Sequence, residues 1–250
     1  MTNQSTNLNY LAIIGAQRSG STFLYNILSQ HPDIKMYEPI RPESKYFLNH
    51  KTVSKENLTE IFSQISNKKY IGEKCTSYIE FPGISEKILN IFPDAKLMVI
   101  LRNPIERAIS NYQFSKDNCL ENRKIEDVFI NNTKPPALKK SVSVNPFNYI
   151  RRSRYYELIK PFKDKFGDNI KVIILEQLLQ ENIEFDIINF FLGIEDLEIK
   201  IDKKNKINNS SEKQYDNIEE VKKHIQIELS EDINKLKSFL NIDLNKYWRL

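Results

Sequence analysis

The chain has 250 residues, 40% of them hydrophobic and 28% charged, and a formal net charge of +4. That length can bury one good core, and the composition is ordinary for a soluble protein. No apolar run is long enough to span a bilayer, and so small a positive excess is a weak argument for nucleic acid or membrane, although its sign suits an anionic ligand.

Residues 1–7 are polar and lack the basic-then-apolar form of a signal peptide, so residues 1–8 read as flexible and the protein as cytoplasmic. Leu11–Ile14 is a short apolar strand that feeds Gly15-Ala-Gln17-Arg18-Ser19-Gly20-Ser21-Thr22, a Gly-bounded loop, and a helix begins at once. Loop N–H groups and a helix N-terminus converging there make an anion cradle. Its form departs from the Walker loop, G-x-x-x-x-G-K-[ST]. Ser21 stands where the Lys belongs, and the basic residue, Arg18, lies inside the loop. The helix that follows is expected to bury Phe23, Leu24, Ile27 and Leu28, and His31 just after it reads as structural.

Tyr70–Gly72 is the next strand signal, followed by Leu97–Leu101, a run suited to a buried parallel strand. Asn103 can cap the next helix and Pro104 suits its first position, which places Arg102 at a strand's carboxyl end and Ser110 about two turns along. Ligands of open α/β sheets bind at that edge. Arg107 reads as a solvated or ion-paired helix residue. Residues 116–148, with Asn131-Asn-Thr-Lys-Pro-Pro136, read as an irregular loop. Arg151, Arg152 and Arg154 either meet an anionic sugar or form a basic face. Val172–Leu175 is the last strand signal. Residues 203–213 form a polar, basic loop, and the final long helix places Ile218, Val221, Ile225, Leu229, Ile233, Leu236 and Leu240 on one core-facing side. Strands alternating with helices argue an α/β fold with a P-loop-like central parallel sheet flanked by helices, a single domain over residues 1–250. Cys75 and Cys119 read as unpaired thiols, and no metal-ligand spacing occurs.

Gln17-Arg-Ser-Gly-Ser-Thr22 resembles the 5′-phosphosulfate loop of sulfotransferases, and Leu101-Arg-Asn-Pro-Ile-Glu-Arg-Ala-Ile-Ser110 resembles their 3′-phosphate motif. Pro42-Glu43-Ser-Lys-Tyr-Phe47, Glu73-Lys74-Cys-Thr-Ser-Tyr78, Phe190-Phe-Leu-Gly193 and Leu240–Trp248 extend the likeness to nearly the whole chain, and the branch resembled is the carbohydrate and heparan type with its bacterial members. The resemblance implies the sulfotransferase fold and transfer of a sulfuryl group from 3′-phosphoadenosine 5′-phosphosulfate (PAPS) to an acceptor hydroxyl, a carbohydrate one, with 3′-phosphoadenosine 5′-phosphate (PAP) as product. It implies no nucleic-acid partner. A sulfonate carries less charge than a terminal phosphate, so a metal is less necessary.

The same resemblance distributes roles. Gln17, Arg18, Ser19, Gly20, Ser21 and Thr22 hold the 5′ side of the donor, with Arg18 where the family commonly has Lys. Arg102 and Ser110 hold the 3′-phosphate, and Lys206 and Asn208 lie in a late loop near the nucleotide. Glu43 is the base that takes the acceptor's proton, with Glu38 a rival outside the matched segment and His31 next. Lys74 lies near the transferred group, although Cys75-Thr76-Ser77 replaces the family's commoner Thr-Pro-Ala. Two alternatives stand beside this reading. A P-loop kinase or NTPase needs Lys at position 21 and a metal-binding carboxylate after an apolar strand, whereas Leu101 runs into Arg102. A non-catalytic nucleotide-binding protein on the same fold leaves Glu43 and Lys74 without a task.

Overall fold

The structure, a computed structural model, describes residues 9–49, 53–62, 67–138, 144–180, 183–195 and 215–249. In chain order its first elements are β1 (Asn9–Gly15), α1 (Ser21–Leu28), β2 (Ile34–Met36), α2 (Tyr46–Asn49), α3 (Lys55–Glu60), β3 (Tyr70–Lys74), α4 (Ile84–Ile91) and β4 (Lys96–Leu101). They are followed by α5 (Pro104–Asp117), α6 (Ile125–Phe129), α7 (Tyr155–Phe166), β5 (Ile170–Ile174), α8 (Leu175–Gln180), α9 (Ile183–Leu192) and α10 (Ile218–Leu240). These elements fall into two compact units, Met1–Leu101 with Lys160–Asn205, and Arg102–Ile159 with Lys206–Leu250.

The first unit is built on a five-stranded parallel sheet of order β2-β3-β1-β4-β5. Its central strands β1 and β4 are almost wholly apolar on both faces because both are covered, as parallel sheets require. On one face Leu11, Ile13, Met98 and Ile100 pack with Leu24, Ile27 and Leu28 of α1 and with Leu192 of α9. On the other, the Tyr10 ring stacks on Phe92 at 4.6 Å and tilts against Phe47 of α2 at 5.8 Å. In register, Ile13 lies opposite Lys74, and Gly15 lies opposite Val99. The ends of β1 and β3 therefore open on one edge of the sheet.

Three expectations change. β2 carries no periodic signal, yet it pairs with β3. β5 ends at Ile174, and Leu175 begins α8 rather than closing the strand. Phe23 is only partly buried, and Tyr25 takes its place in the α1 core face. His31 is structural as expected: Nε2 donates to the Glu195 carbonyl at 3.0 Å while Nδ1 accepts from the Asp33 N–H at 3.0 Å. Both ring nitrogens are thereby engaged.

In the second unit, α5, α6 and α10 share a core of Ile105, Ala108, Tyr112, Ile125, Phe129, Val221, Ile225, Leu229 and Ile233. The α10 stripe is as expected at Val221, Ile225, Leu229, Ile233 and Leu236, with Ile218 packed at the core's margin. Residues 116–148 are not wholly irregular: α5 runs to Asp117 and α6 lies inside the stretch. Residues 139–143 and the 203–213 loop lie outside the described residues. Arg107 is neither solvated nor at the surface. It is fully buried, its Nε donates to Ser153 Oγ at 2.7 Å, and its Nη2 donates to the Tyr149 carbonyl. Cys75 is buried and Cys119 exposed, and neither forms a disulfide among the described residues.

Candidate active site

β1 delivers the cradle. Its last residue, Gly15, approaches Ile79 so closely that an added Cβ would lie 2.8 Å from Ile79 Cγ2. The loop then closes on the sheet, with the Ala16 N–H donating to the Ile100 carbonyl at 2.9 Å. Arg18 adopts a positive φ of 67° and is half-buried, and Gly20, at φ 89°, occupies the N-cap position of α1. Glycine suits that left-handed position because it has no Cβ to strain, and as the N-cap residue it offers no side chain to the first-turn N–H groups of α1. Ser19 is fully buried, and its hydroxyl has no hydrogen-bond partner among the described residues. A helix start whose N-cap residue has no side chain, beside a buried hydroxyl with no partner among the described residues, fits an anion seated in the loop.

β3 delivers Lys74 to the same edge, where the following residue's N–H donates to the Ile13 carbonyl at 3.0 Å. Glu43 comes from the segment between β2 and α2 and meets it there. The Lys74 ammonium donates to Glu43 Oε1, with side chains 4% and 15% exposed. The Thr76 N–H donates to Glu43 Oε2 at 3.0 Å, and the Thr76 hydroxyl to Oε1 at 3.1 Å. Glu43 is thus an oriented carboxylate with three donors, two of them on one residue. Glu38 is different: it is exposed and ion-paired with Lys35 at 3.1 Å, three residues away.

Sequence reasoning missed Glu73. It faces the opposite way from Lys74 along β3 and is wholly buried. Its Oε1 accepts from the Tyr10 hydroxyl and, at 2.9 Å, from the Tyr78 hydroxyl, while Oε2 accepts from the Ser44 hydroxyl. Burial pushes the carboxyl up to about 7, against the pull of the Tyr10 and Tyr78 hydroxyls, and Glu43 nearby acts in the same direction as burial. The one sequence signal was an acidic residue beside Lys74 at the end of a short strand that starts apolar. Cys75, next to Lys74, is a neutral thiol: burial first, then Glu43 and Glu73, push its pKa well up.

The 3′-phosphate candidates belong to the second unit. Asn103 caps α5 as expected, its Oδ1 accepting from the Ile105 N–H at 3.0 Å and the Glu106 N–H at 3.2 Å, with Pro104 at the first position. Arg102 is half-buried, and its carbonyl accepts from the Tyr155 hydroxyl at 2.9 Å. Ser110 is buried on α5. Lys206 and Asn208 lie outside the described residues. The arginine cluster is split: Arg152 is buried and donates to Asn111 Oδ1 and the Asn145 carbonyl, Arg154 pairs with Glu157 and Glu228, and Arg151 is exposed. It is not one basic face.

A family model for the sulfotransferase domain matches residues 9–239, through both units. The membrane-associated sulfotransferase kil1 of Dictyostelium discoideum is 35% identical over 106 residues, 41% of this chain and 22% of that protein. The human bifunctional heparan sulfate N-deacetylase/N-sulfotransferase 1 is 33% identical over 114 residues, 42% of this chain and 13% of that protein. The chain thus spans about a fifth or less of these relatives' length. A sulfotransferase from Alicyclobacillus acidocaldarius superposes over 96% of this chain and 98% of its own with a TM-score of 0.72 and 20% identity, a likeness of fold.

Proposed function

We propose that this chain, which belongs to the sulfotransferase family, moves a sulfuryl group from PAPS to a carbohydrate acceptor. The observation that carries the mechanism is the Glu43 carboxylate held by Lys74 and Thr76 at the carboxyl edge of β3, the sheet edge on which β1 and its cradle open. The donor would supply an activated sulfonate on a phosphate leaving group. The chain's task is to position and to balance charge. The cradle N–H groups, the Ser19, Ser21 and Thr22 hydroxyls and the Arg18 guanidinium hold the 5′ side, and Arg18 offers its fork to the charge that grows on the leaving oxygen. Arg102 and Ser110 hold the 3′-phosphate and so carry donor specificity, with Lys206 and Asn208 assigned to the nucleotide as well. Lys74 offers positive charge to the transferred group. Glu43 takes the proton of the acceptor hydroxyl, and its three donors fix its orientation.

The heparan sulfate relatives support a carbohydrate acceptor. A fully desulfated heparan-type glycosaminoglycan, with hydroxyls and free amines both available, is therefore the acceptor to test. Incubated with sulfur-labelled PAPS, the protein is expected to label this chain, and product analysis reads whether oxygen or nitrogen is modified. No label on the glycosaminoglycan, with label moving to other hydroxyl compounds, would overturn the carbohydrate part of the proposal.

A further inference from the structure

We infer that Glu73 is a positioning residue for this reaction: through Ser44 it fixes the segment that carries Glu43 against the strand that carries Lys74. The inference rests on the reading of Glu43 as the base. Two ties lace the same pair of segments. Lys74 donates to Glu43, and Ser44, the next residue in the chain, donates to Glu73, the residue before Lys74. Glu43 is therefore held by the head through Lys74 and Thr76, and by its backbone neighbour through Glu73. A third strut extends the brace, since the Tyr78 hydroxyl that donates to Glu73 accepts the Phe47 N–H at 3.1 Å.

The chemistry of the cluster argues for more than packing. A wholly buried carboxylate is unfavourable unless its lone pairs are met, and an apolar residue would fill a strand interior at less cost. Here three hydroxyls, from Tyr10, Tyr78 and Ser44, converge as donors on one carboxylate. Each is matched to an ionised acceptor; a proton placed on Glu73 would add a fourth donor to a ring of donors. The groups that face it are Tyr10 on β1, Tyr78 and Cys75 beyond β3, and Glu43 with its partner Lys74. With its carboxyl raised to about 7, Glu73 changes charge in the neutral range. The brace is complete above that pH and loosened below it.

The test compares Ser44→Ala, Glu73→Gln, Glu43→Gln and the double variant Glu43→Gln with Glu73→Gln. Ser44→Ala is the gentle probe because Tyr10 and Tyr78 still satisfy Glu73. Sulfate transfer from PAPS to the desulfated glycosaminoglycan is measured across pH, and PAP binding is measured by calorimetry. Misplacing a catalytic group by a fraction of an ångström is expected to lower kcat by about tenfold or more in Ser44→Ala and Glu73→Gln. PAP affinity should stay within about twofold, because nothing that touches the cradle changes. The wild-type kcat profile should show an inflection near pH 7 that Glu73→Gln removes. The double variant should be no slower than Glu43→Gln, because Glu73 acts through Glu43. Wild-type kcat in Ser44→Ala and Glu73→Gln, or an equal loss on top of Glu43→Gln, would overturn the inference while leaving the base in place. Normal turnover by Glu43→Gln would instead remove the base itself, and with it the residue that Glu73 is said to position.

Discussion

At the scale of single residues, two carboxylates lie side by side in opposite settings. Glu43 is oriented by Lys74 and Thr76 at the sheet edge on which β1 ends, whereas Glu73 is buried among hydroxyls. Glu43→Gln keeps the shape of the side chain but cannot take a proton, so turnover should fall by roughly 10²–10⁴-fold, mainly in kcat. Steady-state kinetics check this, with Glu38→Gln as the control: Glu38 sits in an exposed pair with Lys35, and its variant should be close to wild type. Glu73 makes a second prediction, about stability. Its folded-state value of about 7 lies above the ordinary 4.5, so the folded protein keeps a proton that the unfolded chain has lost between those values. Its contribution is therefore most favourable below about pH 4.5 and is lost as pH rises to about 7, by about 3 kcal/mol in all. Denaturation of wild type and Glu73→Gln across pH 4.5–7.5 should show wild type losing stability relative to the variant with rising pH. A constant difference would contradict the raised value. Glu43 and Lys74, which the structure pairs, were singled out in the sequence because their local motifs resemble those of a family. Glu73 was not, because Tyr10 lies 63 residues away. Arg107 was misread for the same reason: its burial depends on Ser153 and Tyr149, which no local pattern announces.

At the scale of elements, the turns carry the proposed site, and their local chemistry is written in short signals. The Asn103-Pro104 start of α5 was fully legible, because a cap and a first-position proline are local choices. Gly20 was legible as a loop residue, but the structure adds why it cannot change. It sits at φ 89°, and a Cβ there would lie 2.7 Å from Leu175 Cδ1 at the start of α8. Gly20→Ala should therefore lose at least about 1–2 kcal/mol, the usual cost of a left-handed alanine, before the Leu175 contact is counted. Urea denaturation measures it; an unchanged midpoint would mean the α1 start is not as described. β2 and α6 escaped sequence reading because each is too short to show a period: β2 has three residues and α6 five. β5 was placed one residue too far because Leu175, apolar like the strand, belongs to the next helix.

At the scale of the whole molecule, the alternation of apolar strands and amphipathic helices sufficed for a parallel α/β sheet, and the order β2-β3-β1-β4-β5 puts the cradle strand at its centre. The acceptor was not legible, because acceptor surfaces are built from variable loops rather than from the scaffold. The donor is the central claim. A nucleotide with a 3′-phosphate should be preferred, since we propose Arg102 and Ser110 as the groups that hold it, and no metal should be needed to bind it. Calorimetry with PAP and with ADP, both in the presence of a chelator, tests this most directly. We expect PAP to bind at least about tenfold more tightly than ADP, and Arg102→Ala to lose most of that preference, as a charge-assisted contact of about 1.5–3 kcal/mol requires. Equal affinity for the two nucleotides, or binding that appears only with Mg²⁺, would contradict it.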